Sequence, residues 1–176
     1  MRRLLPFAAL GLALLPPGAA AAQSNVRPID ETAADLAYGL CPLYLAGQLE
    51  LTSSEVSERG FGPKIETVQN ARFGEMRLVY AKLADGEIGF GGAPQKTCSV
   101  IVFGPKREDA LAALHTNMAY MGFDFAVDPT NTGDRNGAQL ETFKAKLDDT
   151  NFFYVQLIQS ATPAPMVTAQ LFVMDQ

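Results

Sequence analysis

The chain has 176 residues, a net charge of −5 from 19 acidic and 14 basic side chains, 48% hydrophobic content, two cysteines, one histidine and no tryptophan. These figures fit one ordinary globular domain and exclude collagen-like, low-complexity and disordered chains, whose compositions are skewed or poor in apolar residues. The acidic balance also argues against nucleic acid as a partner, because affinity for phosphates comes mainly from lysine and arginine.

The N-terminus has the three parts of an export signal. Arg2 and Arg3 give the positive start, Leu4 to Leu15 the apolar run, and Pro16-Pro17-Gly18 break it. Ala19 to Ala22 supply small side chains for a signal peptidase, and cleavage is expected between Ala22 and Gln23. Residues 1–22 are thus expected to be a cleaved secretory signal and 23–176 a single exported domain, periplasmic or secreted. The apolar run is shorter than the roughly 20 residues a membrane span requires. No cysteine follows the alanines to accept a lipid. Loss of the two arginines leaves 12 basic against 19 acidic side chains, a charge of −7, which favours solubility and opposes anionic lipid surfaces. No stable membrane insertion is expected.

Cys41 and Cys98 are the only thiols. Their spacing resembles neither a CxxC redox pair nor a zinc knuckle, and two cysteines with one histidine cannot fill a four-ligand metal site. In an oxidising compartment the pair is expected to form one structural disulfide.

Along the chain, residues 23–29 read as a short tail. Asp30 is placed to cap a helix carrying Leu36, Leu40 and Leu43, with Pro42 expected to kink or end it near Cys41. Thr52 or Ser53 starts a short helix that stops at Gly60, with Phe61 folding back onto Val56. Met76 to Leu83 and Glu87 to Gly91 are expected to form a hairpin around Asp85-Gly86, with positive φ at both turn positions. Thr97 to Phe103 is apolar on both faces and reads as a central strand. A longer helix over 106–121 places Leu111, Leu114, Met118 and Met121 on one stripe and stops at Gly122-Phe123. Strands follow at Phe123–Val127, Gln139–Leu147, Phe152–Gln159 and Met166–Met174. This predicts a single α+β domain: a mostly antiparallel sheet of about six to seven strands with N-terminal helices and one longer central helix packed on it. The internal helix contradicts a membrane barrel. The order of elements resembles that of cone-shaped domains of the nuclear-transport-factor type, which enclose an apolar pocket; the strand Thr97 to Phe103 departs from that plan.

Four segments could carry chemistry. His115, the sole histidine, lies at the edge of the helical stripe and is the most versatile proton carrier near neutral pH, but no motif supplies it with a nucleophile. The glycine-rich Asp85 to Lys96 leads into a strand, not the helix a phosphate loop needs, so Gly89, Gly91 and Gly92 are expected to let two backbones approach or to bend an edge strand. Asp128 to Gly137 has a glycine at the sixth position of a calcium loop but only Thr130 and Thr132 at the third and fifth and Gln139 at the twelfth, so a solvated connection is expected. It is also the best loop for touching a partner, through Asp128, Asn131, Asp134 and Arg135. In Phe152-Phe153-Tyr154, Phe153 points to the core; Phe152, Tyr154 and Ile158 point the other way, into core if a helix covers that side and into a groove if not.

Nothing in the sequence calls for a cofactor or a metal. The function expected is a non-enzymatic binding or interaction module of the cell envelope, with an envelope protein or a small apolar ligand as partner. The alternative is a small-molecule-binding protein or simple acid–base enzyme with a pocket between the sheet and helix 106–121, containing His115 or Tyr120. The oligomeric state is left open.

Overall fold

The computed structural model describes residues 27–162 and 164–175; the expected signal and its cut at Ala22 lie outside the described residues. The chain opens in helix α1 (Ile29–Asp35), runs through a π-helical turn (Leu36–Leu40) and continues as α2 (Cys41–Leu45). Pro28, not Asp30, occupies the capping position, and Asp30 and Glu31 instead place negative charge in the first turn, where the helix dipole favours it. Pro42 does not end the helix. Its ring removes a donor and crowds the carbonyl four residues back, and the backbone widens by one residue immediately before it. Helix α3 (Ser54–Ser57) is short; beyond it Gly60 takes φ 90°, and Val56 and Phe61 both enter the core as expected.

The rest of the chain builds one open antiparallel sheet from β1 (Glu66–Asn70), β2 (Gly74–Leu83), β3 (Gly86–Gly92), β4 (Thr97–Phe103), β5 (Ala126–Val127), β6 (Gly133–Arg135), β7 (Ala138–Lys146), β8 (Asn151–Ser160) and β9 (Met166–Asp175). Its order is β1-β2-β3-β4-β9-β8-β7-β5, with β6 also paired to β7. The class is α+β as predicted, but the sheet has nine strands instead of six or seven. The additional ones, β1 and β6, are exposed along almost their whole length and carry no alternating apolar face that sequence periodicity could detect. The β6–β7 turn did carry a signal: Asn136 and Gly137 take φ 53° and 80°, the positive values a tight two-residue hairpin requires.

The β2–β3 hairpin forms, but its turn differs from expectation. Leu83 pairs with Gly86, so Ala84 and Asp85 are the loop residues and Gly86 already belongs to the strand. Neither Ala84 nor Asp85 is among the residues with positive φ. Strand β3 is paired on both sides, by β2 and β4, so the idea of a bent edge strand is corrected; close approach is the role that remains. A Cβ on Gly91 would sit 2.1 Å from the Arg77 carbonyl oxygen, and one on Gly92 2.1 Å from that of Thr97.

Strand β4 is central, as its sequence implies. Cys98, Val100 and Val102 face the helices together with Leu171, Ala169 and Val167 of β9 and Val155 and Leu157 of β8. Cys41 is bonded to Cys98 across a sequence separation of 57. Helix α4 (Arg107–Asn117) packs against α1 and over β9, where it buries Ala110 and Leu114, and the Tyr38 hydroxyl donates to the Leu114 carbonyl at 2.6 Å. Burial pushes the Tyr38 phenol above its ordinary range. Phe153 enters this core, whereas Phe152, Tyr154 and Ile158 are half-buried on the helix-free face, with Tyr154 stacked on Phe172 at 5.2 Å. That face also carries a register-aligned polar row, Thr142, Gln156, Gln170 and Ser99. Among the described residues no helix is long and apolar enough to cross a membrane.

Closing a 57-residue loop by a disulfide is worth about 4 kcal/mol in chain-entropy terms. Replacing both Cys41 and Cys98 with Ala is therefore expected to lower unfolding stability by about that amount in denaturant titrations under oxidising conditions. A loss below about 1 kcal/mol would show that the staple contributes little beyond packing.

Candidate functional site

The site is built where α4 stops. Glu108 and Asp109 lie in its first turn and His115 in its last, the charge order a helix dipole prefers. The chain then tightens into a 3₁₀ turn (Met118–Met121), and Gly122 adopts the left-handed conformation at φ 74°. This reversal returns Phe123 and Phe125 to the sheet. Phe123 stacks on Phe153 with centroids 5.8 Å apart, and Phe125 lies tilted 6.2 Å from the same ring. Between this segment, the end of α4 and Phe143 of β7 lies an open cleft of about 500 Å³, lined also by His115, Met118, Ala119, Asp124 and Ala126.

His115 meets Phe143 edge-on at 5.7 Å, and its Nε2 lies 3.3 Å from Glu141 Oε2. Glu141 and Phe143 are two apart on β7 and so share one sheet face, which explains how one strand supplies both partners. The histidine side chain is 36% exposed, at the mouth of the cleft. The lining contains no serine, threonine or cysteine. The cleft is accordingly an apolar aromatic container with one His–Glu pair and one further carboxylate, suited to retaining a ligand or moving a proton.

The two residues expected in one pocket are separated. Tyr120 is 84% exposed and borders a different cleft of about 420 Å³, on the α1 side of α4, with Asp30, Glu31 and Tyr38. The four residues of the partner loop divide as well. Asp128 is buried, and its carboxylate accepts from the Thr130 backbone N–H at 3.1 Å and the Asn131 amide at 2.8 Å. The Asp128 N–H donates to the Thr142 carbonyl at 2.7 Å, and the Thr142 hydroxyl donates to the Asn131 carbonyl at 2.7 Å. Asp128 and Asn131 thus pin the loop to β7, while Asp134 and Arg135 lie exposed on β6, with an Arg135 guanidinium N–H donating to the Thr130 carbonyl at 3.0 Å. Among the described residues no three His, Cys, Asp or Glu side chains converge as a metal site. Glu141, Phe143, Asp124 and Phe125 escaped the sequence reading. A strand was expected over Gln139–Leu147, but nothing in the spacing joined that strand to His115.

Comparison of the chain with protein-family models, with curated proteins and with solved structures finds no match to any of them.

The Asn131 amide holds the Asp128 carboxyl below the usual carboxylate range, helped by the Thr130 N–H and Lys144. In the β7–β8 turn the Asn151 amide and the backbone N–H groups of Thr150 and Asn151 hold Asp148 down to about 2. A lowered carboxylate contributes stability that is complete above its unfolded value, near 4, and is lost as pH falls through the folded one. Amide exchange at Thr130, Asn131 and Thr150 is therefore expected to accelerate as pH is lowered from about 4 toward 2, after correction for intrinsic rates. Asp128→Asn should remove that acid dependence at Thr130 and Asn131 and leave it intact at Thr150.

Proposed function

We propose that the protein is an exported, non-enzymatic binding module that captures a small, largely apolar ligand in the cleft beside His115. The observation that carries this reading is the cleft itself: about 500 Å³, walled by Met118, Phe123, Phe125 and Phe143, with only His115 and Asp124 as polar side chains in its lining. That combination of apolar wall and few oriented polar groups is what small-molecule sites have in common. The Cys41–Cys98 disulfide supports an oxidising compartment, in line with the export signal expected at the N-terminus. The partner-loop reading is weaker on the same grounds, since Asp128 and Asn131 are occupied with the loop's own backbone.

Ala119 is exposed on the rim of the cleft, so a large side chain there fills the space without disturbing the core. Wild-type protein is expected to bind the neutral dye Nile red one to one, and Ala119→Trp to weaken it at least about ten-fold with unchanged thermal stability. Native mass spectrometry of protein from its own host is expected to show a chain beginning at Gln23 and a retained small molecule that Ala119→Trp lacks. Equal dye binding by the two proteins would refute the cleft as the site.

A second reading, proton transfer by His115 oriented by Glu141, is favoured by their 3.3 Å separation. It predicts that His115→Gln accumulates a retained molecule of different mass from that of wild type; identical molecules in both proteins would exclude it.

A further inference from the structure

We propose that the ligand of this cleft is an organic cation with an apolar body, an alkyl- or arylammonium; the inference rests on the ligand-binding reading above and names the class of ligand. Charge complementarity carries it. Phe123, Phe125 and Phe143 give the cleft aromatic walls, and ring faces attract a cation lying within about 6 Å of their centroids. Asp124 lines the same space, and Glu141 stands at its mouth against His115. No lysine or arginine is part of the lining. The nearest basic neighbour in sequence, Lys144, lies on the opposite face of β7, 5.9 Å from the Phe152 ring and 4.0 Å from Asp128. An anionic ligand would meet the Asp124 carboxylate and no lysine or arginine. A neutral ligand would fill the aromatic volume yet leave Asp124 without a counter-charge, since Glu141 already faces His115. The chain as a whole, at −5, adds attraction for a cation.

The test uses three probes with one ring and three head charges: benzylammonium, benzyl alcohol and benzoate, titrated into the full disulfide-bonded protein and followed by backbone NMR. Benzylammonium is expected to shift the amides of Phe125, Ala126 and Phe143 saturably and to bind roughly five-fold more tightly than benzyl alcohol, with benzoate weakest. The double variant Asp124→Asn, Glu141→Gln changes two exposed side chains and should bring benzylammonium to the alcohol's affinity without weakening the alcohol. Equal binding of alcohol and ammonium, or a preference that survives the double variant, overturns the cationic assignment and leaves the cleft a ligand site. If none of the three shifts the cleft amides and Nile red also fails to bind, both the class and the site fall.

Discussion

The joint between the first helical segment and the middle of the sheet governs everything else in this fold. Cys41 follows the π-helical turn directly, and Cys98 sits on the most central strand. The bond therefore anchors the helical layer to the part of the sheet least able to move. Leu36, Ala37 and Leu40 of the π turn pack into the same buried cluster as Val100 and Val102. The helix widens by one residue immediately before Pro42 and resumes as α2, whose Cys41 is bonded to β4. Helix α4 then settles on α1, held by the Tyr38 hydroxyl at the Leu114 carbonyl.

That arrangement divides the sheet into two chemically different faces. Toward the helices, β2, β3, β4, β9 and β8 present Val, Ile, Phe, Leu and Ala, and the core closes there. On the other face Thr142, Gln156, Gln170 and Ser99 lie side by side in register, with hydrogen bonds from Gln156 to Thr142 and from Gln170 to Ser99. Buried amides and hydroxyls are tolerated because they find partners within the row. The loop after β5 uses the same strand: Asp128 and Asn131 fasten it to Thr142.

The cleft is a consequence of helix length. Helix α4 covers β9 but ends at Asn117, and Gly122 reverses the chain before β7 is covered. Phe143, Phe123 and Phe125 are then left half-buried at the margin of the core, with His115 and Glu141 above them. The same stop that satisfies the helix end leaves an aromatic-walled space beside the sole histidine. Function, on this view, occupies the place where a packed layer runs out.

The sequence by itself determined the local and covalent features. Periodicity located β2, β4, β7, β8, β9 and α4, because alternation and helical stripes are set by which side chains must be buried. Counting thiols in a chain with an expected export signal was enough to pair Cys41 with Cys98. Short, fully exposed strands such as β1 and β6 left no such pattern, since neither face is buried. Gly86 pairs with Leu83 and lies so close to the Phe103 carbonyl of the neighbouring strand that no side chain would fit there, a contact that local turn chemistry does not reveal. Tertiary structure alone decided the site: His115 and Glu141 are 26 positions apart, and only strand pairing and the α4 stop bring them together. Tyr120, near His115 in sequence, lies in the 3₁₀ turn beyond α4 and borders the cleft on the α1 side, because helical geometry, not proximity along the chain, sets which neighbours a side chain meets.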